Sequence, residues 1–87
     1  MDDESRIEKL IRLLVSPLVT EPKKIEVSCQ QKDGVFECCL RLAAADVGRV
    51  IGRQGKVISA LRIIVNSLKL SHHQLVRLDI QGDKKLS

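Results

Sequence analysis

A chain of 87 residues, 44% apolar and 30% charged, is the size of one small globular domain over residues 1–87 and argues against disorder. No apolar run approaches the roughly 18–20 residues of a membrane span. The acidic start Met1-Asp2-Asp3-Glu4 is the reverse of a signal peptide's basic opening, so the expected compartment is the cytoplasm.

In chain order, the first element reads as an amphipathic helix. Ile7, Leu10, Ile11, Leu14 and Leu18 recur at helical spacing, and Ser5 with Glu8 fits a capping box. Pro17 should kink this helix or force a short second piece, and Pro22 should end it. A hairpin follows. If Asp33-Gly34 is a two-residue turn, opposed positions sum to 67. Ile25 then pairs with Leu42, Val27 with Leu40 and Cys29 with Cys38 on an apolar face. Glu26 meets Arg41 and Gln30 meets Glu37 on a polar one, as a sheet covered on one side requires.

After Ala43-Ala44-Ala45, Asp46 is the expected N-cap of a short helix carrying Val47, Val50 and Ile51 inward. A glycine loop comes next, then a longer helix from about Lys56 to Lys69 with Val57, Leu61, Ile64, Val65 and Leu68 as its core stripe. Residues 70–74 read as a polar connection. Val76, Leu78 and Ile80 alternate with Arg77, Asp79 and Gln81 as a third strand, and residues 82–87 as a basic tail, leaving a core of about 5–81. The order is α-β-β-α-α-β. Two helices between the second and third strands make those strands parallel neighbours, while the hairpin is antiparallel. The expected fold is therefore α+β: a two-layer sandwich with a three-stranded mixed sheet covered by three helices.

The chemistry concentrates in Ile51-Gly52-Arg53-Gln54-Gly55-Lys56-Val57-Ile58. Two glycines three apart, between two apolar helices, let the backbone turn tightly and come close to a phosphate. The helix after Gly55 adds unpaired amides and a positive dipole end. Arg49, Arg53, Lys56 and Arg62 surround the loop, and no Asp or Glu occurs from Val47 to Asn66. The net charge of +4 is compatible with a polyanionic partner, but it is this one-sign stretch that points to one.

Other phosphate motifs fail. A P-loop ending at Gly55-Lys56 needs glycine where Val50 stands and Ser or Thr where Val57 stands. The dinucleotide pattern G-x-G-x-x-G is absent. With Phe36 as the sole aromatic, and that one expected in the core, base stacking of the kind other sheet-based binders use is nearly unavailable. Cys38 and Cys39 are strand neighbours pointing to opposite faces, and no fourth ligand lies at zinc spacing, so no metal or cofactor is expected. Three cysteines in all fit buried thiols in a reducing compartment, with Cys29 and Cys38 as small buried hydrophobes; the alternative is a cross-strand Cys29–Cys38 disulfide on oxidation, which cytosolic chemistry opposes. His72-His73 reads as a solvated connector. No paired-carboxylate, Ser/His/Asp or Cys/His arrangement supports an enzyme or a small-molecule substrate.

Ile-Gly-x-x-Gly-x-x-Ile within this element order resembles the prokaryotic (type II) KH domain. The stretch Asp46-Val47-Gly48-Arg49-Val50-Ile51-Gly52-Arg53-Gln54-Gly55 looks most like the small bacterial KhpA-like RNA-binding proteins. The resemblance spans essentially the whole chain. It implies a clamp for single-stranded RNA in which amides of Arg53 to Lys56 hold phosphates. Arg49, Arg53, Gln54 and Lys56 would add polar contacts. Val47, Val50, Ile51 and Ile58, one strand of the sheet and the hairpin loop 31–34 would wall a groove for about four bases. It also implies a second KH-containing protein or self-association, and a role as RNA chaperone or post-transcriptional regulator. The rival expectations are a KH-shaped protein-interaction module and a binder of single-stranded DNA.

Overall fold

A computed structural model describes residues 3–68 and 75–82. The elements are α1 (Asp3–Val15), β1 (Glu26–Lys32), β2 (Val35–Leu42), α2 (Val47–Ile51), α3 (Lys56–Asn66) and β3 (Leu75–Gly82). The sheet order is β1-β2-β3, antiparallel between β1 and β2 and parallel between β2 and β3. This is the mixed α+β sandwich the pattern predicts.

The hairpin register is the expected one from Glu26 opposite Arg41 to Lys32 opposite Val35, with Cys29 opposite Cys38; Ile25, expected opposite Leu42, precedes β1 and closes the Pro22–Lys24 turn instead. Asp33 and Gly34 both have positive φ, 52° and 78°, the type I′ turn whose twist matches the strands it joins. Glu26 and Arg41 pair at 3.6 Å on the open face. On the covered face Phe36, Cys38, Leu40 and Leu42 of β2 are buried, with Val76 and Leu78 of β3 beside them.

From the helical layer, Ile7, Ile11 and Val15 of α1, Val50 of α2, and Ile58, Leu61 and Val65 of α3 complete the core. Burying each such side chain contributes roughly 1.5–3 kcal/mol. Three helical positions depart from expectation. Leu18, Ile51 and Ile64 are 36%, 37% and 41% exposed, because Pro17 breaks α1 before Leu18 and the short α2 buries only the Val50 side. On α3 the buried stripe is Ile58-Leu61-Val65, which rotates Ile64 outward.

Helix boundaries also shift. Asp3 is already helical, so Ser5 lies inside the first turn of α1 and is not its cap. Pro17 converts the chain into a separate 3₁₀ turn, Ser16–Leu18, as expected of a residue that cannot continue an α-helix. Pro22 opens a further 3₁₀ turn, Pro22–Lys24, and so starts a turn where a helix end was expected. Gly82 belongs to β3, opposite Leu42. The expected end of the long helix at Lys69, the whole connection 70–74 with its histidine pair, and the tail beyond Gly82 lie outside the described residues.

Asp46 does not cap α2 with its side chain. It is fully buried and accepts hydrogen bonds from the Thr20 amide (3.0 Å), the Thr20 hydroxyl (2.9 Å) and the Glu21 amide (3.2 Å). Arg49 approaches it at 3.5 Å. One carboxylate thus ties the link after α1 to the start of α2, and this full set of donors offsets the cost of burying its charge.

The Thr20 amide above all, then the Thr20 hydroxyl, the Glu21 amide and Arg49, hold the Asp46 carboxyl below its ordinary value of 3.8 against the opposing effect of burial. The unfolded chain binds this proton more readily, so the stabilisation is complete above that ordinary value and is lost as pH falls through the lower folded one. Thermal unfolding followed from about pH 5 down to pH 2 should show the wild-type midpoint dropping more steeply than that of Asp46→Asn. At neutral pH Asp46→Asn should already melt lower, since its amide nitrogen cannot accept the Glu21 N–H.

Candidate nucleic-acid interface

The site is built where α2 ends. Gly52 takes φ 76° and ψ 174°, a region open essentially to glycine alone. Its amide donates to the Gly48 carbonyl at 2.9 Å and so closes α2. A Cβ on Gly52 would stand 2.4 Å from Val57 Cγ2 and 2.9 Å from the Val57 amide nitrogen, so the missing side chain is what lets α3 fold back against α2. Gln54 (φ 57°) and Gly55 (φ 74°) are both left-handed. A Cβ on Gly55 would meet only Ile58 Cγ2, at 3.9 Å; that glycine serves conformation, not close packing.

Within the loop, the Gly55 amide donates to the Gly52 carbonyl at 3.2 Å and the Lys56 amide to the Arg53 carbonyl. Two of the four amides expected to face a phosphate are therefore spent inside the loop, a consequence of its 3₁₀ turn. The side chains of Arg53, Gln54 and Lys56 are exposed. Arg49 is exposed but leans toward Asp46.

Beside the loop lies an open groove of about 420 Å³, lined by Ile51 of α2, Ile58 and Arg62 of α3, and Asp79, Ile80 and Gln81 of β3. Of the expected wall residues, Ile51 and Ile58 are there. Val50 is fully buried and lies beneath the surface. Val47 is half-buried, and its Cγ2 sits 3.4 Å from where a Cβ on Gly82 would be, at the end of β3. The hairpin turn is not a wall of this groove: Val35 beside it pairs with Leu75 and Leu42 pairs with Gly82, which sets the turn about 20 Å along the strands from the loop's end of the sheet.

The strand that does line the groove is the free edge of β3, and α3 holds it. Arg62 donates through Nε (3.3 Å) and Nη2 (3.0 Å) to the Leu78 carbonyl. The Asn66 amide pairs with both backbone groups of Val76, receiving its N–H at 2.8 Å and donating to its carbonyl at 3.0 Å. Side chains thus supply the hydrogen bonds a fourth strand would make, blunting the edge. The signal in the sequence is Arg62 and Asn66 following Ile58 at i+4 steps on one helix face.

An α-β-β-α-α-β chain with parallel β2 and β3 and a basic glycine loop between α2 and α3 defines a KH domain of the type II arrangement. The KhpA/KhpB KH-domain family model matches residues 8–80. The chain is 44% identical over 82 residues to the RNA-binding protein KhpA of Lactiplantibacillus plantarum, covering 93% of this chain and 96% of that one. It is 39% identical over 69 residues to the RNA-binding protein KhpA of Streptococcus pneumoniae serotype 4, covering 79% and 87%. With the RNA-binding protein KhpA of Bacillus subtilis it shares 31% identity over 77 residues, 88% of this chain and 95% of that one. The chain belongs to the KhpA/KhpB KH-domain family.

Proposed function

We propose that this protein binds single-stranded RNA, holding the backbone of an extended strand at Gly52 to Gly55 while bases enter the adjoining groove. The observation that carries this is the basic, solvent-facing loop between α2 and α3 lying beside a groove whose apolar walls are Ile51, Ile58 and Ile80. Relatives that align over nearly their whole length carry the name RNA-binding protein.

The backbone amides offered to a phosphate are those of Arg53 and Gln54, with the N-terminus of α3 behind them. Arg53 and Lys56 add salt-dependent attraction. Aliphatic walls take the base faces that aromatic residues take elsewhere. One such groove makes few contacts, so affinity rises when a second KH-containing protein or a second copy contributes its own. Exposed Leu13 and Ile63 leave apolar surface on the helical layer for such a partner. The resulting role is that of an RNA chaperone or post-transcriptional regulator in the cytoplasm.

Competition binding tests this. A short single-stranded RNA should compete with a labelled one, whereas a blunt duplex of the same sequence should not, because paired bases cannot enter the groove. Affinity should fall several-fold from about 50 to 200 mM salt, with a logarithmic slope of about −0.7 to −1.4 for one or two neutralised phosphates on a single strand. Equal competition by duplex, or a flat salt response, contradicts the reading.

A further inference from the structure

Cys29 and Cys38 face each other across the β1–β2 hairpin, away from the groove on β3. In a two-residue hairpin the pair flanking the turn, here Lys32 and Val35, exchanges both backbone hydrogen bonds, and pair types alternate from there. Three steps back, Cys29–Cys38 is a non-hydrogen-bonded pair, the kind with Cα atoms about 4.5 Å apart and side chains closest together. A disulfide accepts a Cα separation of about 4.4–6.8 Å. Both side chains belong to the covered face, where Cys38 is buried and Cys29 packs against the core, and both thiols are free. Cys39 stands on the opposite face between Ser28 and Asp79 and cannot reach either of them.

We propose that Cys29 and Cys38 are a thiol–disulfide exchange site, which a low-molecular-weight disulfide of the glutathione class converts into an intrachain cross-strand disulfide. Cys29 is half-buried and Cys38 fully buried, so exchange begins at Cys29. Its thiolate attacks one sulfur of the small disulfide. That S–S bond breaks, and the departing thiolate takes up the proton Cys29 lost, leaving a mixed disulfide on Cys29. Cys38 then gives up its proton and attacks the Cys29 sulfur, expelling the second small thiol. Two protein thiols are oxidised to one disulfide, and one small disulfide is reduced to two thiols.

The contact with Cys29, then burial, then the Glu8 and Glu4 carboxylates of α1 push the Cys38 thiol's pKa up. Once Cys29 carries the adduct its own contribution is gone, but burial and the Glu8 and Glu4 carboxylates still hold the Cys38 proton, and Cys38 is fully buried, so the closing step is the slow one and the mixed disulfide is seen first. The same exchange run backwards by an excess of small thiol reopens the bond, so closure is reversible.

Incubating the folded chain with glutathione disulfide and following intact mass and mapped peptides tests the site. The expected course is one glutathione adduct on Cys29, then a chain two hydrogens lighter than the reduced form with the Cys29 and Cys38 peptides joined. Dithiothreitol should restore the starting mass. Cys39→Ser should behave identically, and Cys38→Ser should stop at the Cys29 adduct. Should Cys38→Ser fail to fold, Cys39→Ser alone decides. The site is refuted if, in that variant, the adduct on Cys29 never closes or both thiols remain alkylatable.

Discussion

Replacing Gly52 with alanine should cost the fold about 3 kcal/mol or more, seen as a large drop in the urea unfolding midpoint. Two independent penalties meet at this position. Its backbone, φ 76° and ψ 174°, lies where a side chain costs on the order of 1–3 kcal/mol. The new methyl would also overlap Val57, whose Cγ2 and backbone nitrogen lie 2.4 and 2.9 Å away. Val57 Cβ and its backbone nitrogen, 2.8 and 2.9 Å away, do not move when the side chain rotates, so a rotamer change gives no relief. Relief requires moving the start of α3, and with it Ile58 and the groove wall. Gly55→Ala is the control. Its Cβ has room, so only the left-handed backbone is penalised, by about 1–2 kcal/mol. If the two alanine variants unfold at the same urea concentration, the close approach of Val57 is not what the first glycine serves.

The second large effect falls on binding and should leave stability nearly untouched. Arg53→Asp combined with Gln54→Asp should weaken single-stranded RNA affinity on the order of 100-fold at low salt, and the loss should shrink as salt is raised. The pair removes one positive charge and sets two negative ones where a phosphate would sit. The fold should tolerate it, since both side chains are exposed. Gln54 already occupies a left-handed conformation, φ 57°, which aspartate accepts more readily than glutamine. Fluorescence anisotropy measures the affinity and far-UV circular dichroism the fold. Unchanged affinity in a folded variant would move RNA away from this loop.

Much of the architecture is legible in the sequence because local rules govern it. Asp33-Gly34 dictates a I′ turn, and strict alternation on both strands leaves one register that keeps Cys38, Leu40 and Leu42 on the covered face. Pro17 fixes the end of α1 by chemistry alone. Two helices between β2 and β3 force the parallel pairing. The glycine loop is legible for the same reason, since spacing and residue type determine it.

What escapes the sequence depends on contacts far apart in the chain. Asp46 has the identity of an N-cap, yet it serves Thr20 and Glu21, and nothing near Asp46 signals those donors. The spacing of Val47, Val50 and Ile51 suits an inward stripe, but a five-residue helix can bury little more than one position, and Val50 takes it. Placing the hairpin turn on the groove fails because the wall is set by which strand ends beside α2. That strand is β3, whose free edge Arg62 and Asn66 finish with side-chain hydrogen bonds. Asp79 then brings an acidic group to a groove whose local sequence, Val47 to Asn66, carries none.

The central claim, a backbone clamp at Gly52 to Gly55 beside an Ile51–Ile58 groove, is tested most directly by amide chemical shifts. The measurement is a titration of isotope-labelled protein with a short single-stranded RNA. The largest changes should fall on Gly52, Arg53, Gln54 and the first turn of α3, with smaller ones on Ile80 and Gln81 across the groove. Changes confined to the open sheet face around Gln30, Glu37 and Arg77, with the loop amides unmoved, would contradict it.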